Sequence, residues 1–203
     1  SLWKTSLNNL VALTKLSNAS SFSEISAHEG IDVFIKKGVK EEARIVSGSH
    51  DLDEVLTEVS GGRLKIHLEG NNHRNIDVDV YVTYKSIRAI SSSSASSLTS
   101  EGIIDADGSD FDVDVSSAGD IDATIENADE VSIDASSAGD ARLKLSCNEI
   151  EADVSSAGEI EVEGRARKQD VEVSSSGDYD GYELESEEVD ASASSGGGIK
   201  VNV

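Results

Sequence analysis

The sequence predicts an all-β chain wound as a right-handed parallel β-helix, a β-solenoid with coils of about 19–20 residues and looser N-terminal coils. Three observations predict it. A block recurs as DVSSAGDIDATI from Asp114, DASSAGDARLKL from Asp134, DVSSAGEIEVEG from Asp153, EVSSSGDYDGYE from Glu172 and SASSGGGIKVNV from Ser192. Its aligned glycines, Gly119, Gly139, Gly158, Gly177 and Gly197, are 20, 19, 19 and 20 residues apart. Within each copy apolar and polar residues alternate, which is the strand period and not the helical one. The phase also survives from copy to copy, and a one-residue slip would turn every core side chain to water.

The opening stretch, residues 1–20, fits a helix face or a strand, and we read a strand over about Asn9–Leu16 that begins the first coil. Trp3, the sole tryptophan, reads as a packed cap. Strand alternation starts near Phe22, with Ile31, Val33 and Ile35 set against Asp32, Phe34 and Lys36 before a turn at Lys37-Gly38. Glu42–Val46 reads as a strand, Leu52–Glu58 as a connection or short helix, and Val59–Leu68 as a turn followed by a strand. Asn71-Asn72 turns the chain, Ile76–Tyr84 alternates again, and Ile87–Ile90 leads into the repeat. Residues 1–203 are thus one domain, with irregular coils over 1–88 and regular Ser-Ser-Ala-Gly coils over 89–203. A separate small antiparallel domain is the other reading of the first part.

Each regular coil reads as strand, tight corner, strand, and a second turn such as Glu126-Asn127-Ala128. The inward set is Val115, Ile121, Ala123 and Ile125 in one copy, then Ala135, Ala141, Leu143 and Leu145, then Val154, Ile160 and Val162, then Val173 and Tyr179, then Ala193, Ile199, Val201 and Val203. Coils should stack about 4.8 Å apart. Glycine suits the corner because it accepts φ > 0 and lets backbones approach closely. Ser94, Ser117, Ser137, Ser156, Ser175 and Ser195 share one aligned position, expected to point inward. They read as a column of mutually satisfied hydroxyls or simply as small residues.

Charge divides the chain. Residues 1–88 hold 11 Lys and Arg against 12 Asp and Glu, whereas residues 89–203 hold 6 against 28. So acidic a solenoid should repel nucleic acid and anionic membrane. The sequence has no long apolar run to cross a membrane. Cys147 is the lone cysteine, so neither an internal disulfide nor a cysteine metal cluster can form. The chain starts at Ser1 rather than Met, as expected of a mature or trimmed form whose signal segment has been removed.

Two outward columns of acid flank the corner. One is Asp114, Asp134, Asp153 and Glu172; the other is Asp120, Asp140, Glu159 and Asp178. Neighbours about 5 Å apart would repel by about 1 kcal/mol per pair even in a water-like dielectric, only partly screened by salt. These eight residues are therefore the candidate metal ligands, for Ca²⁺ as the one conceivable cofactor; the bland reading is a solvated acidic face with no cofactor. A third column, Asp122, Arg142, Glu161, Asp180 and Lys200, should form cross-coil ion pairs. Arg165-Ala166-Arg167-Lys168 reads as a solvated basic turn, or else as a docking spot for an acidic neighbour.

No catalytic residue is assigned. His28, His50, His67 and His73 lack metal-ligand spacing, no serine sits in a Gly-x-Ser-x-Gly elbow, and no carboxylate pair stands apart from the others. The corners are too short to build a catalytic groove.

The order FSEISAHEGIDVFIKKG from Phe22, GGRLKIHLEG from Gly61, VDVYVTYKSIRAISSSSAS from Val78, the SSAGD series and the closing GGGIKVNV resembles the Putative auto-transporter adhesin, head GIN domain family of Gram-negative cell-envelope proteins. The family's usual corner is Ser-Gly-Gly or Gly-Ser-Gly; here it is mostly Ser-Ala-Gly. The resemblance implies an exported β-helical domain of the periplasm, outer membrane or cell surface and a non-enzymatic adhesin role, with no site residues to carry over. The expected partner is a protein or glycan surface met by a flat solenoid face, with self-association through an unpaired coil edge also open. The alternative is a carbohydrate-binding module or polysaccharide-active β-helix enzyme using the loops of the first part, which exposed stacked aromatics would favour.

Overall fold

The computed structural model describes residues 5–7, 10–17, 21–48, 52–70 and 76–202. Trp3, His50, the Asn71-Asn72 turn, His73 and Val203 lie outside them. The alternating segments become strands β1 (Thr5–Leu7), β2 (Leu10–Ser17), β3 (Glu24–Ala27), β4 (Asp32–Lys37), β5 (Glu42–Ser47), β6 (Val55–Ser60), β7 (Arg63–Leu68) and β8 (Val78–Tyr84). They continue as β9 (Ala89–Ser92), β10 (Ser97–Asp105), β11 (Phe111–Val115), β12 (Asp120–Ala135), β13 (Asp140–Val154), β14 (Glu159–Val173), β15 (Asp178–Glu185), β16 (Glu188–Ala193) and β17 (Gly198–Val201). Among the described residues there is no helix, so none is long and apolar enough to cross a membrane.

The coils stack in parallel at the spacing read from the sequence. Asp120 lies beside Asp140, Asp140 beside Glu159, Glu159 beside Asp178 and Asp178 beside Gly198. Strands before each corner make one face: β7, β3, β9, β11, the second halves of β12, β13 and β14, then β16. Strands after it make the other: β8, β4, β10, the first halves of β12, β13 and β14, then β15 and β17. Ile121, Leu143, Ile160 and Tyr179 are all buried between these faces. The inward set loses cover only at the last coil, where Ala193 is exposed and Ile199 and Val201 are half-buried.

The corner works differently from expectation. Gly119 and Gly139 are not left-handed; the two residues before each are, Ser117 and Ala118 at φ 53° and 58°, Ser137 and Ala138 at 53° and 59°. The glycine N–H donates to the first corner carbonyl, Gly119 to Ser116 and Gly139 to Ser136, both at 2.9 Å, so each corner has the positive-φ pair of a type I′ turn. Glycine is needed for close approach alone. A Cβ on Gly119 would stand 2.5 Å from the Ser92 carbonyl oxygen, and one on Gly139 2.6 Å from that of Val115. The positive φ also turns Ser94, Ser117, Ser137, Ser156 and Ser175 outward to solvent, so no inward hydroxyl column forms. Backbone bonds run along the axis instead: the Ala118 N–H donates to the Ser137 carbonyl at 3.1 Å and the Ala138 N–H to that of Ser156 at 3.2 Å.

The expected second turn is a kink. Asn127 takes φ 57° and the ladder shifts register between Glu126 and Ala128, yet β12 runs through it. In β13 and β14 the chain rounds the same edge without leaving the ladder. For that reason Arg165–Lys168 is strand, not turn, with Ala166 buried.

The first part is the same coil with additions, and its coils are not in chain order. The β7–β8 coil stacks outside the β3–β4 coil, which in turn meets β9 and β10. β5 lies antiparallel between β8 and β2, and β1 pairs antiparallel with β2. Thus β2 forms where a strand was expected but does not begin a coil. Its partner β5 runs backwards because residues 38–41 are too few to circle the solenoid. Leu52–Glu58 is not a helix either. Gly61 and Gly62, at φ 61° and 85°, make a two-residue hairpin that folds β6 antiparallel onto β7.

Candidate functional site

Strand alternation points every second side chain outward, and the stacking sets these into columns. Asp114, Asp134, Asp153 and Glu172 are neighbours in register on the pre-corner face. Asp120, Asp140, Glu159 and Asp178 are neighbours on the post-corner face, and the column continues through Ser97 to Asp32 and Asp79. A further acid row, Glu151, Asp170 and Asp190, lies beside the first. A shallow cleft of about 160 Å³ runs among Asp153, Glu172, Ser155, Ser174, Ser192 and Ser194.

Packing like charges this closely moves their protonation. Partial burial, then the carboxylates of Asp153, Asp114 and Asp112, raise Asp134 above its ordinary 3.8. Glu130 first, then burial and Asp153, raise Glu151 above its ordinary 4.5. Burial, then Asp32 and Asp77, raise Asp79. Among the described residues no three His, Cys, Asp or Glu side chains converge to hold a metal ion: parallel stacking sets these carboxylates in rows rather than around a point.

The mixed column is in register, and two of its three expected pairs form, Arg142 with Glu161 at 4.0 Å and Asp180 with Lys200. Towards the other neighbour Arg142 turns to Asp140 on its own strand, at 2.5 Å, rather than to Asp122. Lys200 meets Asp180 at 2.9 Å and holds its carboxyl below the ordinary range. In the basic run, Lys168 is bound to Glu149 at 2.6 Å and Arg165 to Glu185 at 3.4 Å.

Among the described residues, the other titratable side chains of interest pack against the fold. His28 Nδ1 lies 2.8 Å from Ser93 Oγ at a corner, its pKa lowered mainly by burial and next by Lys65. His67 is half-buried beside Glu58, at 3.6 Å. Burial pushes the Cys147 thiol up to about 12, which disfavours its thiolate. Tyr179 is buried and donates to Gln169 Oε1 at 2.8 Å, while Gln169 Nε2 donates to Ser186 Oγ at 2.7 Å.

One cluster was not read from the sequence. Phe34 on β4 and Tyr81 on β8 are cross-strand neighbours facing outward, with ring centroids 5.2 Å apart and planes 20° apart. Arg44 on β5 lies opposite Tyr81, its guanidinium 4.4 Å from the ring centroid. These residues are far apart in the chain and meet because β8 stacks beside β4 out of chain order. The outward placement of Phe34 in its alternation was the available signal.

The family model of the Putative auto-transporter adhesin, head GIN domain matches residues 21–203. The chain is similar to the crystal structure of a putative adhesin from Parabacteroides distasonis, at TM-score 0.84 and 17% identity, over 94% of this chain and 81% of that one. A putative adhesin from Parabacteroides merdae is similar at TM-score 0.80 and 14% identity, over 92% and 79%. A putative lipid binding protein from Parabacteroides distasonis is similar at TM-score 0.79 and 17% identity, over 93% and 80%. At such identities the likeness is one of fold. No curated protein matches the chain.

Proposed function

The chain belongs to the Putative auto-transporter adhesin, head GIN domain family, and from that premise we propose that it is a non-enzymatic exported domain that adheres to, or scaffolds, a partner through a solenoid face. The observation that carries this reading is the pair of ladder faces. Their outward side chains stand in fixed columns over successive coils, and the four-residue corners raise no loop above them. Such a surface offers rigid repeated contacts to an extended partner. Its acidity disfavours nucleic acid and leaves a protein or glycan. The periplasm, outer membrane or surface of a Gram-negative cell is the matching location. β16 and β17 each pair on one side only among the described residues, so a second copy is a further partner this reading allows.

Fractionation of native cells, with adhesion of beads carrying the full chain to cell surfaces, tests the reading. Recovery in the cytoplasm, or beads no stickier than bare ones, would refute it. Release of product from a polysaccharide would instead make it an enzyme. Carbohydrate binding has one specific observation in its favour, the outward Phe34–Tyr81 stack.

A further inference from the structure

We propose that the outer face of the Phe34 ring, with the step down to Thr99 beside it, is a stacking site for a neutral glycan. This rests on the surface-binding reading above and names its partner class and place. By strand register one outward column runs Arg44, Tyr81, Phe34, Thr99, Asp122 and Arg142. Tyr81 is covered on both sides, by Arg44 and by Phe34. Phe34 is therefore braced from behind. On its other side its strand neighbour is Thr99, and among the described residues no ring or cation stacks on that face of the half-buried Phe34.

Two strand spacings, about 9.6 Å, separate the Phe34 position from that of Asp122, which leaves room for one ring-thick body over Thr99. The floor supplies a hydroxyl and the far wall an exposed carboxylate. One end is shaped by an irregularity in β10, where the ladder to β12 shifts between Thr99 and Ile103. There the Thr124 N–H donates to Ser100 Oγ at 3.1 Å, Glu101 and Gly102 are exposed, and Ile103 is 51% exposed. Such bulges re-aim side chains beside binding sites.

A sugar ring matches this chemistry. Its C–H face suits an aromatic ring, and its hydroxyls suit a few placed oxygen acceptors. Charge selects among glycans. Arg44 is turned onto Tyr81 at the far end of the column, whereas Asp122 borders the site. Residues 89–203 beyond it carry 28 acids against 6 bases, a field that turns away uronic, sialic or sulfated chains.

The test is a glycan array carrying neutral and acidic oligosaccharides, probed with the full chain, followed by NMR titration with the best neutral hit. Phe34→Ala removes the wall. Thr99→Phe extends the stack and fills the gap, and its melting curve shows whether it is folded. Both variants are expected to lose about tenfold or more in affinity, while Asp134→Asn on the other face loses nothing. Should Phe34→Ala fail to fold, Thr99→Phe decides. No neutral hit, hits confined to acidic glycans, or a neutral hit that Thr99→Phe retains would overturn the proposal. Bead adhesion run in parallel separates the two readings: adhesion that persists without any glycan binding removes this site and leaves the surface role, whereas wild-type beads that fail to adhere strike the surface role itself.

Discussion

The same backbone carbonyl meets a glycine in the repeat coils and a side chain in the coil before them. The carbonyl of Ser92 presses toward Gly119 and that of Val115 toward Gly139, each leaving no space for a Cβ. One coil earlier the corner ends in Ser96. There the oxygen of Ala27 is not crowded but accepts from Ser96 Oγ at 2.9 Å, and Ser92 Oγ lies 2.8 Å from the same hydroxyl. In the first coil the position is Ile31, fully buried. At its corners the repeat thus joins coils by backbone fit, which can be copied indefinitely. The first part adds particular side chains to the same backbone bonds, and these cannot be copied so. Charge follows the same division. Glu24 in the first part lies between Arg63 at 2.9 Å and Arg88 at 2.6 Å, whereas Asp134 in the repeat sits between two other aspartates.

The sharpest way to break this contrast is Gly139→Ala. Its methyl would meet backbone that cannot move without parting two coils, so a loss of about 3 kcal/mol is expected, read as a lower denaturation midpoint at unchanged slope. Ser96→Ala should cost less, about 1 kcal/mol, by removing one of the two hydrogen bonds to the buried Ala27 carbonyl, which keeps the Ser93 N–H at 3.0 Å; equal losses for the two variants would erase the distinction.

Charge gives a pair of opposite sign. Glu24→Gln is expected to lose about 1 kcal/mol with its arginine partners, and Asp134→Asn to gain up to about 1 kcal/mol by relieving its column. The pH dependence follows from the same residue. Because Asp134 titrates above 3.8 when folded, the native state keeps its proton longer than the unfolded chain. Its contribution is most favourable below that interval and falls as pH rises through it. Asp180, lowered by Lys200, acts in reverse and loses its contribution as pH falls. Melting temperature should rise from neutral pH toward the carboxylate range, less so in Asp134→Asn, before strong acid unfolds the chain. Added NaCl should raise it as well, and Ca²⁺ no further than NaCl of equal ionic strength. The smallest effect is expected at the corner, where Ala138→Gly should gain about 0.5 kcal/mol by relieving a left-handed residue.

Coil length, inward residues and neighbour register in residues 111–185 were legible in the chain alone, apart from the shifts of register after Glu126 and after Glu161. A period of two tolerates no slip, and a repeat that keeps phase leaves one way to stack, so Asp134 had to fall beside Asp114 and Asp153. What happens at the corner was only half legible. Glycine was visible, but whether it served φ or contact depended on the carbonyl of another coil, and it is the positive φ of Ser117 that turns its side chain outward. Tertiary structure alone decided the order of the first coils. Nothing local to β7 and β8 says that they stack outside β3 and β4, because alternation specifies which side of a strand faces the core and not which strand lies next to it. The pairing of Phe34 with Tyr81 and Arg44, and with it the glycan site, comes from that choice of neighbour.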